Sequence, residues 1–347
     1  MKIETLWNGW KTMIRFRNVA LALGAAVWLL AVTASAQTCY SGGDLDPAAR
    51  ASVERAASQF LSMAARGDVF NLKQNSIPAV ANNFAGIERA VIDNREYFAA
   101  APATIRGTYL LDASTAQGTL ERAEFFCGVF GSMGQTNQSA GFMIPNLPAG
   151  RYAIAIQDVN SPKGLHTLTL ILQELAGQWK LAGFYAKVGQ IGGHDADWFA
   201  NQARQFKAKG QNHNAYFYFM QARDLAAPVP FMSTLKLDRL YDEALQVAPK
   251  DIPQGAGGPV TLQAGGKTFK ITNMFPVVVG TGLNLVVKYE TPDVSNTSQT
   301  FQDNTALMKT LLERYPEFRE AFEGMVARAV APSGQDYGTL LAMKDIK

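Results

Sequence analysis

The chain has 347 residues, with 32 Lys+Arg, 29 Asp+Glu and a formal net charge of +3. Four of the basic residues (Lys2, Lys11, Arg15, Arg17) and one acidic residue (Glu4) lie before Gln37, so the rest of the chain balances at 28 against 28. No basic face of the kind that neutralises phosphates is implied, and nucleic acid is excluded as the expected partner.

Residues 1–36 have the grammar of a secretory signal. A basic front precedes an uncharged apolar run, Val19–Val32, and Ala34-Ser35-Ala36 follows as a small-x-small cleavage site. The run has 14 residues, short of the roughly 20 that span a bilayer as a helix. The expected mature chain starts at Gln37, periplasmic or secreted and part of a bacterial cell envelope. Retention of the segment as an anchor is the alternative, and Met13 is an alternative start. Ala36-Gln37-Thr38 before Cys39 does not make a lipobox. No second apolar run of membrane-spanning length follows, so the mature chain is expected not to cross a membrane. In an oxidising compartment the two cysteines, Cys39 and Cys127, either pair or remain as free buried thiols.

The spacing predicts a helix from Pro47 to Gly67, with Val53, Ala57, Phe60, Leu61 and Ala64 on one stripe, and a second over roughly 80–98. Strands are then predicted at Thr104–Leu111, Ala123–Phe130, Arg151–Val159, Leu165–Leu175 and Gln178–Val188, with a hairpin turn at Ala176-Gly177. His166, Leu168, Leu170 and Leu172 alternate with Thr167, Thr169 and Gln173, which predicts a sheet with one covered face. Residues 195–250 return to helical spacing, including a helix at Thr234–Ala248; 251–259 is rich in Pro and Gly and reads as a linker. A small α+β unit is expected at 260–347. It comprises a hairpin about Ala264-Gly265-Gly266, further strands at Val277–Val279 and Asn284–Tyr289, a helix over Asp303–Arg328 restarted at Pro316, and a closing strand at Tyr337–Met343.

A leading helix ending in Ala65-Arg66-Gly67-Asp68, more helix, and strands finishing in Gly177-Gln178-Trp179-Lys180-Leu181-Ala182-Gly183-Phe184-Tyr185 resemble the NTF2-like superfamily over about 50–190. The resemblance implies a curved antiparallel sheet wrapped on helices around a conical pocket. Some members are isomerases, cyclases or dehydratases, and many only bind or assemble. Phe206, Gly210, Ala215, Phe219 and Ala222, with Pro228, resemble a single tetratricopeptide-like helical hairpin. The expected fold class is therefore α+β: an NTF2-like domain at 47–190, a helical module at 195–250 docked on it, and the C-terminal unit, for which no family resemblance is found.

The chemistry is less legible. His194-Asp195-Ala196-Asp197 is the best cluster of metal-capable residues, but it lacks ligand spacing and Asp195 or Asp197 suits a helix cap, so no metal or other cofactor is expected. Gly131-Ser132-Met133-Gly134 fails the nucleophile-elbow pattern. Gly265-Gly266-Lys267-Thr268 lacks the first glycine of a phosphate loop, because Thr261 stands there. His166 and Glu124 are candidate acid/base residues, with Tyr109, Tyr152 and Trp179 as pocket walls. The run Tyr216-Phe217-Tyr218 covers more than one helix face; it packs on a neighbouring domain or receives a protein or peptide partner. The expected function is a non-catalytic ligand- or partner-binding protein. A pocket isomerase or hydrolase and an envelope scaffold are the alternatives.

Overall fold

The computed structural model describes residues 37–100, 102–129, 135–253 and 258–347. The signal at 1–36, the turn Gly131–Gly134 and the centre of the linker lie outside the described residues. Among the described residues the chain is α+β, and no helix is long and apolar enough to cross a membrane.

Thr38–Ser41 (β1) leads into Pro47–Arg66 (α1), which Asp46 caps by accepting from the Ala49 N–H at 2.8 Å. Val69–Gln74 (α2), Pro78–Ala81 (α3) and Ala85–Ala99 (α4) follow. Ala103–Asp112 (β2), Leu120–Cys127 (β3), Ala140–Leu147 (β4), Arg151–Ser161 (β5), Gly164–Leu175 (β6) and Gln178–Val188 (β7) form two sheets. One has the antiparallel order β1-β2-β5-β6-β7. The other joins β4 to β3 on one side and to Met232–Ser233 (β10) on the other.

The first sheet is covered on both faces, which corrects the half-buried reading. Leu168, Leu170 and Leu172 of β6 face α1 and α4, packed with Phe60, Leu72 and Phe98. On the opposite face Tyr152, Ile154, Ile156 and Ile171 meet Phe125, Phe142 and Ile144 of the second sheet. Thr167 and Thr169 therefore lie inside; Thr167 Oγ1 donates to Asp158 Oδ1 at 2.8 Å. β4 escaped the sequence because Pro145 interrupts its pattern. The partner β10 reaches only Gly141 and Phe142, so the missing N–H of Pro145 falls beyond that ladder.

After Gln190–Ile191 (β8) and His194–Asp195 (β9) come Ala196–Ala208 (α5), Asn212–Ala226 (α6) and, past β10, Leu235–Gln246 (α7). The C-terminal unit is a sheet of Val260–Ala264 (β11), Lys267–Val279 (β12), Gly282–Glu290 (β13), Gly324–Val330 (β14) and Asp336–Ala342 (β15), in that order. Gly265 and Gly266, at φ 54° and 77°, make the left-handed turn between β11 and β12. Thr297–Arg314 (α8) and Phe318–Ala321 (α9) form the crossover from β13 to the parallel β14. The helix expected as far as Arg328 thus stops early. Phe318, Phe322 and Met325 keep helical spacing, but Met325, Ala327 and Ala329 alternate inward from a strand in the sheet interior.

α5, α6 and α7 share one continuous apolar cluster with the C-terminal sheet and α8. Phe217 packs edge-on against Phe318 and Phe322, and the Tyr218 hydroxyl donates to the Ala321 carbonyl at 2.5 Å. The helical module is therefore built chiefly onto the C-terminal unit. It reaches the first sheet through β10 and through Lys187, whose Nζ donates to the Ala227 carbonyl at 3.2 Å and lies 3.1 Å from Asp224 Oδ1.

Candidate ligand-binding cleft

A cleft of about 610 Å³ opens where the first sheet meets the helical module. Its lining includes the β1 end and first half of α1, the middle of β2, residues 137–138, the end of α6 with the residues after it, and the first turns of α5 and α7. Ile156, Leu225, Met232 and Leu235 contribute an apolar wall, and Arg50, Glu54, Arg106, Asp195, Asp197 and Lys236 are the charged side chains of the lining.

The β2–β5 register slips between Ile105 and Gly107, a bulge that leaves Arg106 without a strand partner and re-aims it. Arg106 Nε donates to Asp158 Oδ2 at 2.8 Å, and its Nη2 donates to Thr167 Oγ1 at 2.8 Å. A Cβ at Gly107, beside the bulge, would stand 3.1 Å from the Tyr109 ring, so a larger residue there requires that ring to shift. Tyr109 also lines the cleft; burial pushes its phenol above the ordinary value, with Arg106 opposing in part.

The helix entries are satisfied locally. Asp195 caps α5 by accepting from the Trp198 N–H at 2.9 Å, and Lys236 Nζ lies 2.6 Å from Asp197 Oδ1. Arg50 and Glu54 differ. Arg50 donates to the Gly42 carbonyl, and Glu54 Oε1 accepts from Thr108 Oγ1 at 3.1 Å. Among the described residues neither forms an ion pair, although both line the cleft.

The structure brings few of the sequence-derived candidates together. Tyr109 lines the cleft; Tyr152, Trp179, His166 and Glu124 do not. The Tyr152 hydroxyl donates to the Pro148 carbonyl at 2.9 Å, and Trp179 Nε1 donates to Ser52 Oγ at 3.2 Å. Glu124 pairs with Arg122 at 2.7 Å on half-open surface. His166 is 3% exposed and stacks on Tyr97 of α4 at 3.7 Å, with no hydrogen-bond partner on either ring nitrogen. Burial holds its imidazole below the ordinary value; the Gly164 backbone opposes this in part without closing a hydrogen bond. Leu168, Leu170 and Leu172 pack between the first sheet and its helices.

Phe217 and Tyr218 are buried against the C-terminal unit, and Tyr216 stacks edge-on with Phe217 at 5.6 Å. Of the two expectations for this run, packing on a neighbouring unit describes Phe217 and Tyr218. His194 stacks on Trp198 at 3.7 Å, and no group of three or more metal-capable side chains occurs among the described residues. Cys39 and Cys127 are joined by a disulfide, with Cα atoms 4.8 Å apart, tying β1 to β3.

Arg50 and Glu54 were missed because their helix reads from sequence as an ordinary amphipathic one with a solvated polar face. Arg106 was missed because a one-residue slip in strand pairing has no signature in a single sequence. No protein-family model, curated protein or solved structure matches the chain.

Proposed function

We propose that this chain is an exported, non-catalytic binding protein, NTF2-like over about 50–190, which holds a small polar ligand in the junction cleft. The observation that carries this reading is the cleft itself. Its 610 Å³ falls within the size range of small-molecule sites, and it combines an apolar wall with fixed polar groups. Of its charged groups Arg106 pairs with Asp158 and Lys236 with Asp197, which leaves Arg50 and Glu54 without an ion pair among the described residues; His166 and Glu124 lie elsewhere. Export is supported by the signal grammar of residues 1–36 and by the cysteine pair.

Thermal unfolding of residues 37–347 with a panel of sugars, carboxylic acids, amino acids and dipeptides tests the proposal. A ligand that binds only the folded chain raises the midpoint, and at about 100 times its dissociation constant it adds about 2.7 kcal/mol. Ala226→Trp, which places an indole in the cleft, is expected to abolish the shift. No shift from any compound, or a shift that survives Ala226→Trp, overturns the reading.

A further inference from the structure

We infer that the ligand is a zwitterion with an apolar side chain, a free amino acid or short peptide, whose carboxylate is taken by Arg50 and whose ammonium is taken by Glu54. This rests on the cleft being the ligand site. Both side chains project from α1 into the cleft, one helical turn apart, so their Cβ atoms lie about 5–6 Å from each other. Among the described residues each is satisfied only by a neutral group: Arg50 by the Gly42 carbonyl, Glu54 by the Thr108 hydroxyl. Every other charged side chain of the lining has an ionic partner or a capping role. Arg106 is forked onto Asp158, Lys236 lies on Asp197, and Asp195 caps α5.

The two remaining charges have opposite sign and short separation. A simple anion would satisfy the guanidinium and face the Glu54 carboxylate. A simple cation would face Arg50. A molecule carrying both charges close together satisfies both, and charge-assisted hydrogen bonds of this kind are the stronger ones. The guanidinium fork matches a carboxylate in shape as well as charge. Ile156, Leu225, Met232 and Leu235 then face whatever the ligand carries between or beyond its charges, which favours an aliphatic side chain.

Titration calorimetry of residues 37–347 with L-leucyl-L-leucine, its N-acetyl derivative and its C-terminal amide tests the assignment. The free dipeptide is expected to bind, and blocking either terminus is expected to weaken binding by about 10- to 100-fold. Arg50→Gln should bind the free dipeptide and the amide equally; Glu54→Gln should bind the free and acetylated forms equally. The blocked ligands alter no residue of the protein, so the comparison does not depend on how the variants fold.

Equal binding of blocked and free forms overturns the inference, as does failure of both the dipeptide and free L-leucine to bind. If sugars or simple acids shift the melting midpoint while amino acids and dipeptides do not, the cleft reading stands and the zwitterion falls. If no compound in the panel shifts it, both fall.

Discussion

Arg106 Nε lies 2.8 Å from Asp158 Oδ2, and that fork clamps the bulged strand β2 to β5 beside the cleft. The same guanidinium donates to Thr167 on β6, so one side chain spans three strands. Asp158→Asn leaves a partly buried guanidinium with a neutral partner. The expected loss is about 1–3 kcal/mol of stability, read as a lower urea midpoint with unchanged slope. A change below 0.3 kcal/mol would show that the fork is a solvated surface pair.

The disulfide closes a sequence separation of 88 residues. Chain-entropy arguments give a stabilisation of about 4–5 kcal/mol for a loop of this size. Paired unfolding curves with and without reductant should differ by a large part of that amount. Intact mass of the native protein should fall 2 Da short of the fully reduced mass. Curves that coincide would mean that the bond contributes nothing to the fold.

His166 makes stability depend on pH. Burial lowers its folded-state value below the unfolded one, so the unfolded chain binds this proton more readily. The contribution is neutral above the unfolded value near 6.5 and becomes destabilising as pH falls through it. Urea midpoints measured between pH 7.5 and 5 should drop, and His166→Phe, which keeps a ring against Tyr97, should lessen the drop. An unchanged slope in the variant would assign the acid sensitivity to other groups.

Phe217 is 1% exposed at the seam between α6 and the C-terminal unit. Phe217→Ala is expected to cost about 3–5 kcal/mol. Because the helices and the C-terminal sheet share one apolar cluster, the loss should lower a single transition covering 195–347. Separate melting of 195–250 and 260–347 would contradict the shared core.

The sequence shows the fold far better than the site. The longer helices and most strands of the first sheet, the helix stripe at Val53, Ala57, Phe60 and Ala64, and the Gly265-Gly266 turn were legible because each rests on local spacing. The strand at Gly324–Val330 was not, since Phe318, Phe322 and Met325 keep a helical spacing that only the parallel ladder with β13 overrides. The covered second face of the first sheet was hidden because Thr167 and Thr169 look solvated until Arg106, Asp158 and the second sheet are in place. The cleft joins Arg50, Thr108 and Leu235, and nothing local in a chain announces that such distant segments meet.

Hydrogen exchange on residues 37–347, with and without saturating L-leucyl-L-leucine, tests the central claim most directly. Slowed exchange at Arg50–Glu54, at Thr108 and Tyr109, and at Leu235–Leu237 is the predicted result. Unchanged exchange in all three segments, or protection confined to regions outside the cleft, would contradict it.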